Sequence, residues 1–206
     1  MEPDQRLELD QQGFLVFDVV SVMSTHLTEV IRLWACEILT LESVQDLLAK
    51  PAHARLMNLL GRAGHDDVSI WKLMRQLLQE RVSIRDVTQI LQTLLLDTES
   101  SDPPLELVRR GLAKQITGEL VGDDGKLLAV VLTPEQEQAL TAEDLTVCSA
   151  TAQQLFDYCQ RNGHPRVFLC QPAIRRKVKE RLRPQLPEVH VLSWLEVPPG
   201  LEVRRI

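Results

Sequence analysis

The stretch SIWKLMRQLLQERVSIRDVTQILQTLL, residues 69–95, contains two apolar patterns separated by a polar break. In each half, apolar residues recur every three or four positions, which is the period of one face of an α-helix. The two faces consist of Ile70, Leu73, Met74, Leu77 and Leu78, and of Ile84, Val87, Ile90, Leu91 and Leu94. The stretch therefore predicts two amphipathic helices joined by a turn.

The turn between these helices carries charged residues that are compatible with a catalytic pair, an interface pair or a helix start. Ser83-x-x-Asp86 matches a capping box in which Asp86 replaces the preferred Glu. Asp86 in the first turn would also interact favourably with the helix dipole. Arg85 is adjacent to Asp86 and therefore lies on a different face of the helix, so the two charges are not a local pair. We interpret the turn as a helix start.

Helical periodicity continues on both sides of this stretch. Residues 21–40 predict an amphipathic helix, with apolar residues at Leu27, Val30, Ile31, Trp34, Ile38 and Leu39. Further short helices are predicted over 41–118, the last of them opened by Pro103 and Pro104. Before them, GFLVFDVVSV (13–22) reads as a strand with no partner nearby, which suggests a chain cut from something longer.

Residues 119–206 follow a different pattern, in which strands and helices alternate. GDDG (122–125) is a turn signal before the buried strand LLAVVL, and Thr133 caps a helix together with Gln136. A helix ending at Asn162–Gly163, the strand RVFLC, a helix over QPAIRRKVKERLR and the strand EVHVLSWLEV follow. This alternation predicts parallel pairing. The predicted fold is therefore mixed α/β, with a compact all-helical subdomain over 41–118 and a small α/β subdomain over 119–206.

Composition and charge exclude several classes of protein. The 206 residues contain no apolar run long enough to span a bilayer, and the polar start excludes a secretory signal peptide. The four cysteines lack any C-x-x-C pairing and are interpreted as reduced thiols. The net charge is −6, but residues 1–160 carry about −12 and residues 161–206 about +6. An acidic body disfavours nucleic-acid binding.

Motifs of catalysis and of cofactor binding are absent from the sequence. There is no phosphate-binding loop, no dinucleotide fingerprint and no nucleophile elbow, so no cofactor is predicted. His65 beside Asp66 and Asp67 suggests metal ligands, but a helix start is the favoured reading because no second ligand cluster has matching spacing. No catalytic and no metal-binding residue is predicted.

Two polar segments contain residue types that occur in catalytic sites or in docking surfaces. STHLTE (24–29) places Ser24, Thr25 and His26 close together, which leaves a hydrolase as the alternative hypothesis, although the sequence shows no orienting group and no oxyanion hole. RRKVKERLR (175–183) is basic; a solvated outer face around a seam of Ile174, Val178 and Leu182 is favoured over docking to an acidic neighbour.

Several stretches together resemble the cytoplasmic domain of the FlhA/InvA/LcrD family, the export-gate proteins of flagellar and virulence type III secretion systems. They are GFLVFDVVSVMSTHLTEVIR, VQDLL, LMRQLLQERVSIRDVTQILQTLL, LELVRRGLAKQI and VLSWLEVPPGLEV. The resemblance implies that residues 1–40 are a remnant of the first cytoplasmic subdomain. Truncation of that subdomain would leave one strand and one helix. It further implies a helical, ring-forming subdomain over 41–118 and the α/β C-terminal subdomain over 119–206.

The resemblance also implies a function. Family members form a nonameric ring that receives export chaperones, gatekeepers and secreted substrates beside other export-apparatus proteins. Thr25 matches a chaperone-binding threonine, so Thr25 and His26 are predicted to bind partners, and Arg81 and Arg85 to contact a neighbouring subunit. The expected protein is not an enzyme, contacts neither nucleic acid nor membrane through this segment, and lies on the cytoplasmic face of the bacterial inner membrane. We favour an injectisome over a flagellum.

Overall fold

A computed structural model of the chain describes residues 17–96, 101–161 and 167–205. Helices dominate the first half, as the periodicity predicts. Their bounds are α1 (Val19–Ile38), α2 (Leu41–Leu48), α3 (Pro51–Arg62), α4 (Asp67–Gln79), α5 (Val87–Leu96), α6 (Pro104–Gly111) and α7 (Ala113–Gly118). None of the helices within the described residues is long and apolar enough to cross a membrane.

The second half contains a four-stranded sheet covered by helices. Its elements are β1 (Leu127–Val131), α8 (Pro134–Thr141), α9 (Leu145–Arg161), β2 (Val167–Cys170), α10 (Arg175–Leu182), β3 (His190–Ser193) and β4 (Val203–Arg205). The strand order is β3-β2-β1-β4, and every pairing between these strands is parallel. The mixed α/β fold is confirmed. Strand β4 had no counterpart in the sequence prediction, since three residues are too few for a period to show.

Polar side chains start several helices, at the predicted positions in two of them. Asp66 Oδ1 accepts a hydrogen bond from the Ser69 amide at 2.8 Å, which makes it the N-cap of α4. Thr133 and Gln136 form the predicted capping box of α8. Asp18 caps α1 in the same way, so residues 19–22 are helical where a strand was expected. The remainder of that predicted strand before Phe17 lies outside the described residues.

The turn at 80–86 differs from the predicted capping box. Helix α4 ends in a Schellman motif, in which the Val82 amide donates to Leu77 O at 2.8 Å and the Arg81 amide to Leu78 O at 3.0 Å. This motif requires a left-handed residue, which explains the φ of 60° at Arg81. The chain then stays extended, and Asp86 itself is the N-cap of α5, accepting from the Gln89 amide at 2.9 Å.

Two apolar cores lie on the two faces of the sheet. One core joins helices α2–α7 to Leu127, Ala129, Val167, Leu169 and Leu192 of the strands. The other packs α8, α9 and α10 against Val130, Phe168, Cys170, Val189 and Val191. The alternation of side chains along each strand produces this division. The helices of the first half therefore share a continuous core with one face of the sheet.

Candidate docking surface and buried ion-pair joint

Thr25 and His26 lie on helix α1, and both side chains are exposed. The Thr25 hydroxyl donates to the Ser21 carbonyl at 2.9 Å, a bond within its own helix. Residues 24, 25 and 26 are consecutive, so their side chains point in directions about 100° apart. The structure therefore does not arrange Ser24, Thr25 and His26 as a nucleophile with a base.

The same helix exposes an apolar stripe, which we call the α1 face. It consists of Val20, Met23, Leu27, Ile31, Trp34 and Ile38, each at least half exposed. Their spacing of three and four residues puts them along one side of the helix. Contiguous exposed apolar side chains of this kind are typical of surfaces that another protein element covers.

Helix α1 is attached to the rest of the chain near its C-terminal end. Cys36 is its buried residue. Glu37 pairs with Arg75 at 3.3 Å, and the Trp71 indole donates to Leu39 O at 2.9 Å. The Arg75 guanidinium lies 5.0 Å from the centre of the Trp71 ring, in a cation–π contact. The attachment holds the C-terminal end of the helix, and the described residues leave the α1 face uncovered.

Arg81 and Arg85, the predicted subunit contacts, lie on the turn that follows α4. The Arg81 side chain is half-buried, and its Nη2 atom is 3.8 Å from Glu188 Oε1 of the same chain. Arg85 is exposed. The structure therefore leaves Arg85 accessible to a neighbour and directs part of Arg81 inward.

A group of buried charges, which the sequence reading missed, joins the helical half to the sheet. The joint, as we call it, consists of Glu80, Glu106, Arg109, Arg175 and Glu196. Arg175 is fully buried and binds both oxygens of Glu80, at 2.7 and 3.1 Å, and both oxygens of Glu106, at 2.8 and 2.6 Å. Bidentate pairs of this kind are the strongest charge-assisted hydrogen bonds.

Arg109 completes the joint from helix α6. Its Nη1 atom is 2.8 Å from Glu80 Oε2, and its Nε donates to Glu196 Oε1 at 2.7 Å. Glu196 also accepts from the amide and the hydroxyl of Ser193, at 2.7 and 2.8 Å. Arg109 and Arg175 each donate to Val191 O, at 3.3 and 3.5 Å. The guanidinium groups therefore also cover a carbonyl of the outer strand β3.

The joint shifts the titration of the groups around it. Burial opposes ionisation of Glu80, but Arg109 and Arg175 outweigh it and hold the pKa of Glu80 below its usual range. Beside the joint, Lys179 donates to Val189 O at 2.5 Å. Burial lowers the pKa of Lys179 to about 8, although Glu80 opposes this shift. Burial raises the pKa of the Cys170 thiol to about 12, which keeps it protonated.

The joint corrects the interpretation of residues 175–183 as a solvated basic face around an apolar seam. Arg175 and Lys179 are buried together with Val178 and Leu182. These four residues occupy positions i, i+3, i+4 and i+7, so the helical spacing did mark the buried face. The error came from treating charge as sufficient evidence of exposure. The carboxylates of Glu80, which follows α4, and of Glu106 in α6 neutralise the guanidinium of Arg175.

The residues considered as metal ligands have structural roles. Asp66 caps α4, as described above, and the neighbouring Asp67 is the first residue of that helix. Within residues 17–96, 101–161 and 167–205, no group of three or more His, Cys, Asp or Glu side chains is placed to hold a metal ion.

Comparison with known proteins supplies what the geometry alone does not. The profile of the FHIPEP family matches residues 1–202. The flagellar biosynthesis protein FlhA of Bacillus subtilis is 28% identical over 222 residues, an alignment that covers 97% of this chain and 32% of that protein. The chain thus spans about a third of the length of the curated relatives it matches.

Solved structures share the fold at low identity. The Chlamydia pneumoniae CdsV protein superposes with a TM-score of 0.83 at 18% identity, covering 100% of this chain and 65% of that one. Nonameric EPEC SctV-C superposes with a TM-score of 0.77 at 19% identity, covering 99% of this chain and 68% of that one. These likenesses establish the fold.

Proposed function

Since this chain belongs to the FHIPEP family, we propose that it is the cytoplasmic docking and ring-assembly part of a type III secretion export gate. The observation that carries the proposal is the family match over residues 1–202. The proposal places the chain on the cytoplasmic face of the bacterial inner membrane, beside other export-apparatus proteins. Its partners would be export chaperones, gatekeepers and secreted substrates.

Ring assembly is assigned to residues 41–118, with the exposed Arg85 and the half-buried Arg81 as candidate subunit contacts. The nonameric state of SctV-C, a protein of the same fold, supports this assignment. Light scattering over a concentration series tests it. We expect the mass to rise with concentration and the Arg85→Glu variant to remain smaller than the parent at each concentration. A mass that is independent of concentration in both proteins would contradict this assignment.

Partner docking is assigned to helix α1, through Thr25, His26 and the α1 face. The exposure of these side chains and the attachment of the helix near its C-terminal end support the assignment. The test introduces Thr25→Ala and His26→Ala into the full-length gene and measures secretion and circular dichroism. We expect secretion to fall with the fold retained. The matched control is Ser24→Ala on the same helix.

We further propose that the chain is not an enzyme. The hydrolase alternative requires a hydroxyl nucleophile near a base, whereas the Thr25 hydroxyl donates within its own helix. Ester hydrolysis that disappears in the Ser24→Ala or His26→Ala variant would overturn this proposal.

The injectisome remains our prediction for the system served, although the relatives compared by sequence are flagellar proteins. Deleting the gene in its own organism and measuring swimming and effector secretion separates the two. Loss of secretion with normal swimming supports the injectisome, and loss of swimming alone refutes it.

A further inference from the structure

The sheet presents a crevice at the edge where its strands end. All pairings are parallel, so the carboxyl ends of β1, β2, β3 and β4 lie along the same edge. The chain passes from β1 outward to β2 and β3 and then returns to place β4 on the opposite side of β1. The strand order reverses between β1 and β4, and ligands of open α/β sheets characteristically bind at such a reversal.

A cavity of about 410 Å³ lies at this place. It is lined by the last residues of β1 and β4, by residues that follow β2 and β3, and by the start of α8; the side chains that matter below are Pro134, Glu137, Gln171, Trp194 and Arg205. Its volume is within the range of pockets that bind small ligands or single side chains. The cavity is distant in sequence from α1 and from the turn at 80–86.

The chemistry of the lining points to a cation. Glu137 is half-buried, and its Oε1 atom accepts the Gln171 amide hydrogen at 2.8 Å, which fixes the carboxylate at the cavity wall. Trp194 presents a partly exposed indole ring to the same cavity. A carboxylate and an aromatic face together attract an ammonium or a guanidinium group through charge and cation–π contact.

Arg205 restricts what the cavity accepts. It is exposed at the end of β4 and lines the cavity beside Trp194 and Glu137. Its guanidinium repels any cation that approaches it, so the contact we consider is a single basic side chain held against Glu137 and Trp194.

We propose that this cavity binds one lysine or arginine side chain presented by a partner protein. The proposal is independent of the export role, because it rests on the cavity and its lining. Contact with Glu137 supplies charge, contact with Trp194 supplies the aromatic face, and the apolar stem of the basic side chain packs against Pro134.

The test titrates the isotopically labelled chain with the peptide acetyl-Gly-Arg-Gly-amide and follows nuclear magnetic resonance signals. The Trp194 indole signal is identified by its loss in Trp194→Phe, and the Gln171 backbone amide signal by its displacement in Gln171→Ala. We expect both signals to shift with a millimolar dissociation constant, the range for one anchored side chain. Absence of any shift up to about 20 mM would overturn the proposal, because binding that weak is not specific recognition.

Two controls separate recognition of a cation from nonspecific effects. Glu137→Gln keeps an oxygen that accepts the Gln171 amide but removes the charge, and we expect affinity to fall about tenfold. Glu143→Gln makes the same charge change in the exposed turn after α8 and should leave affinity unchanged. Equal binding of acetyl-Gly-Glu-Gly-amide, or unchanged affinity in Glu137→Gln, would refute the proposal.

Discussion

The joint and helix α1 both depart from the usual burial of apolar side chains and exposure of charged ones. The joint buries charged side chains, whereas helix α1 exposes apolar ones. The joint buries Arg109, Arg175 and Glu196 between the helical half and the sheet, together with the largely buried Glu80 and Glu106. Helix α1 exposes apolar side chains along the α1 face. Arg175 of the joint lies at helical spacing with the buried Val178 and Leu182, and the α1 face follows the same spacing. The period of a pattern therefore identifies a contact face without saying what lies against it.

The difference lies in where the complementary surface is found. The charges of the joint meet partners that are distant in sequence but belong to the same chain, such as Glu80 for Arg175. The α1 face has no such cover from the described part of the chain. The joint therefore contributes to the stability of this chain, whereas the α1 face is exposed for contact with another protein element.

The largest effect is expected from breaking the joint at Arg175. Arg175→Ala leaves Glu80 and Glu106 with fewer partners in a buried environment, which should lower the free energy of unfolding by about 3–5 kcal/mol. Urea denaturation followed by circular dichroism measures the loss. Arg176→Ala, an exposed neighbour, is the matched control and should change stability by less than about 0.5 kcal/mol. Similar losses in both variants would show that burial of Arg175 contributes nothing.

The second prediction concerns pH at the edge of the joint. The pKa of Lys179 is about 8 in the folded chain against an ordinary value of 10.5. Between these values the unfolded chain binds more protons, so the free energy of unfolding rises with pH. Relative to Lys179→Met, the parent should gain on the order of 2–3 kcal/mol between pH 7.5 and pH 11.

Urea denaturation of both proteins across that pH range measures this gain. Other groups that titrate at alkaline pH cancel in the difference between parent and variant. Lys177→Met, on the exposed side of α10, is the matched control for removing a lysine from the same helix. A difference between parent and Lys179→Met that stays constant with pH would contradict a burial-lowered pKa.

The third prediction tests the packing that positions Arg109 and Glu106 on helix α6. A Cβ added at Gly111 would lie 2.3 Å from Thr93 Oγ1 and 2.7 Å from Thr93 Cγ2, so α6 or Thr93 must move. Gly111→Ala should therefore cost about 1–3 kcal/mol in thermal or urea unfolding. Adding Thr93→Ala should recover part of the loss, because it removes both of these atoms. Gly61→Ala, which meets nothing within 4 Å, should instead be neutral or stabilising.

Much of the fold was accessible from the sequence because local signals dominate it. The two helices around residues 80–86, the capping box at Thr133 and the parallel strands β1 to β3 were all predicted. The start of α5 was misplaced because the Schellman motif at Arg81 depends on a left-handed residue that is not a glycine. Neither residue type nor spacing marks such a position in the sequence.

The candidate surfaces were predictable to a smaller degree. The resemblance directed attention to Thr25 and His26, which lie exposed on α1, although their role stays a prediction. The joint was missed because its members, Glu80, Glu106, Arg109, Arg175 and Glu196, come from four separate segments. Pairing between residues 69 to 95 positions apart leaves no trace in a local pattern. The cavity beside Glu137 depends likewise on the order of the strands.

The smallest effect on stability is expected on the α1 face, where the contrast with the joint is sharpest. Leu27→Gln and Ile31→Gln replace side chains that are at least half exposed, so each should change the free energy of unfolding by less than about 0.5 kcal/mol. Leu77→Ala on the buried face of α4 is the reference and should cost about 2–5 kcal/mol. Urea denaturation measures all three.

The same glutamine variants should nevertheless weaken association, because they replace apolar side chains that an interface would remove from water with polar ones that must be desolvated. Light scattering of the chain and secretion by the full-length gene both report this loss. A cost above about 1 kcal/mol for Leu27→Gln at protein concentrations too low for association would mean that the chain covers this face itself. An unchanged unfolding free energy with reduced association would instead establish the α1 face as a surface kept for another protein element.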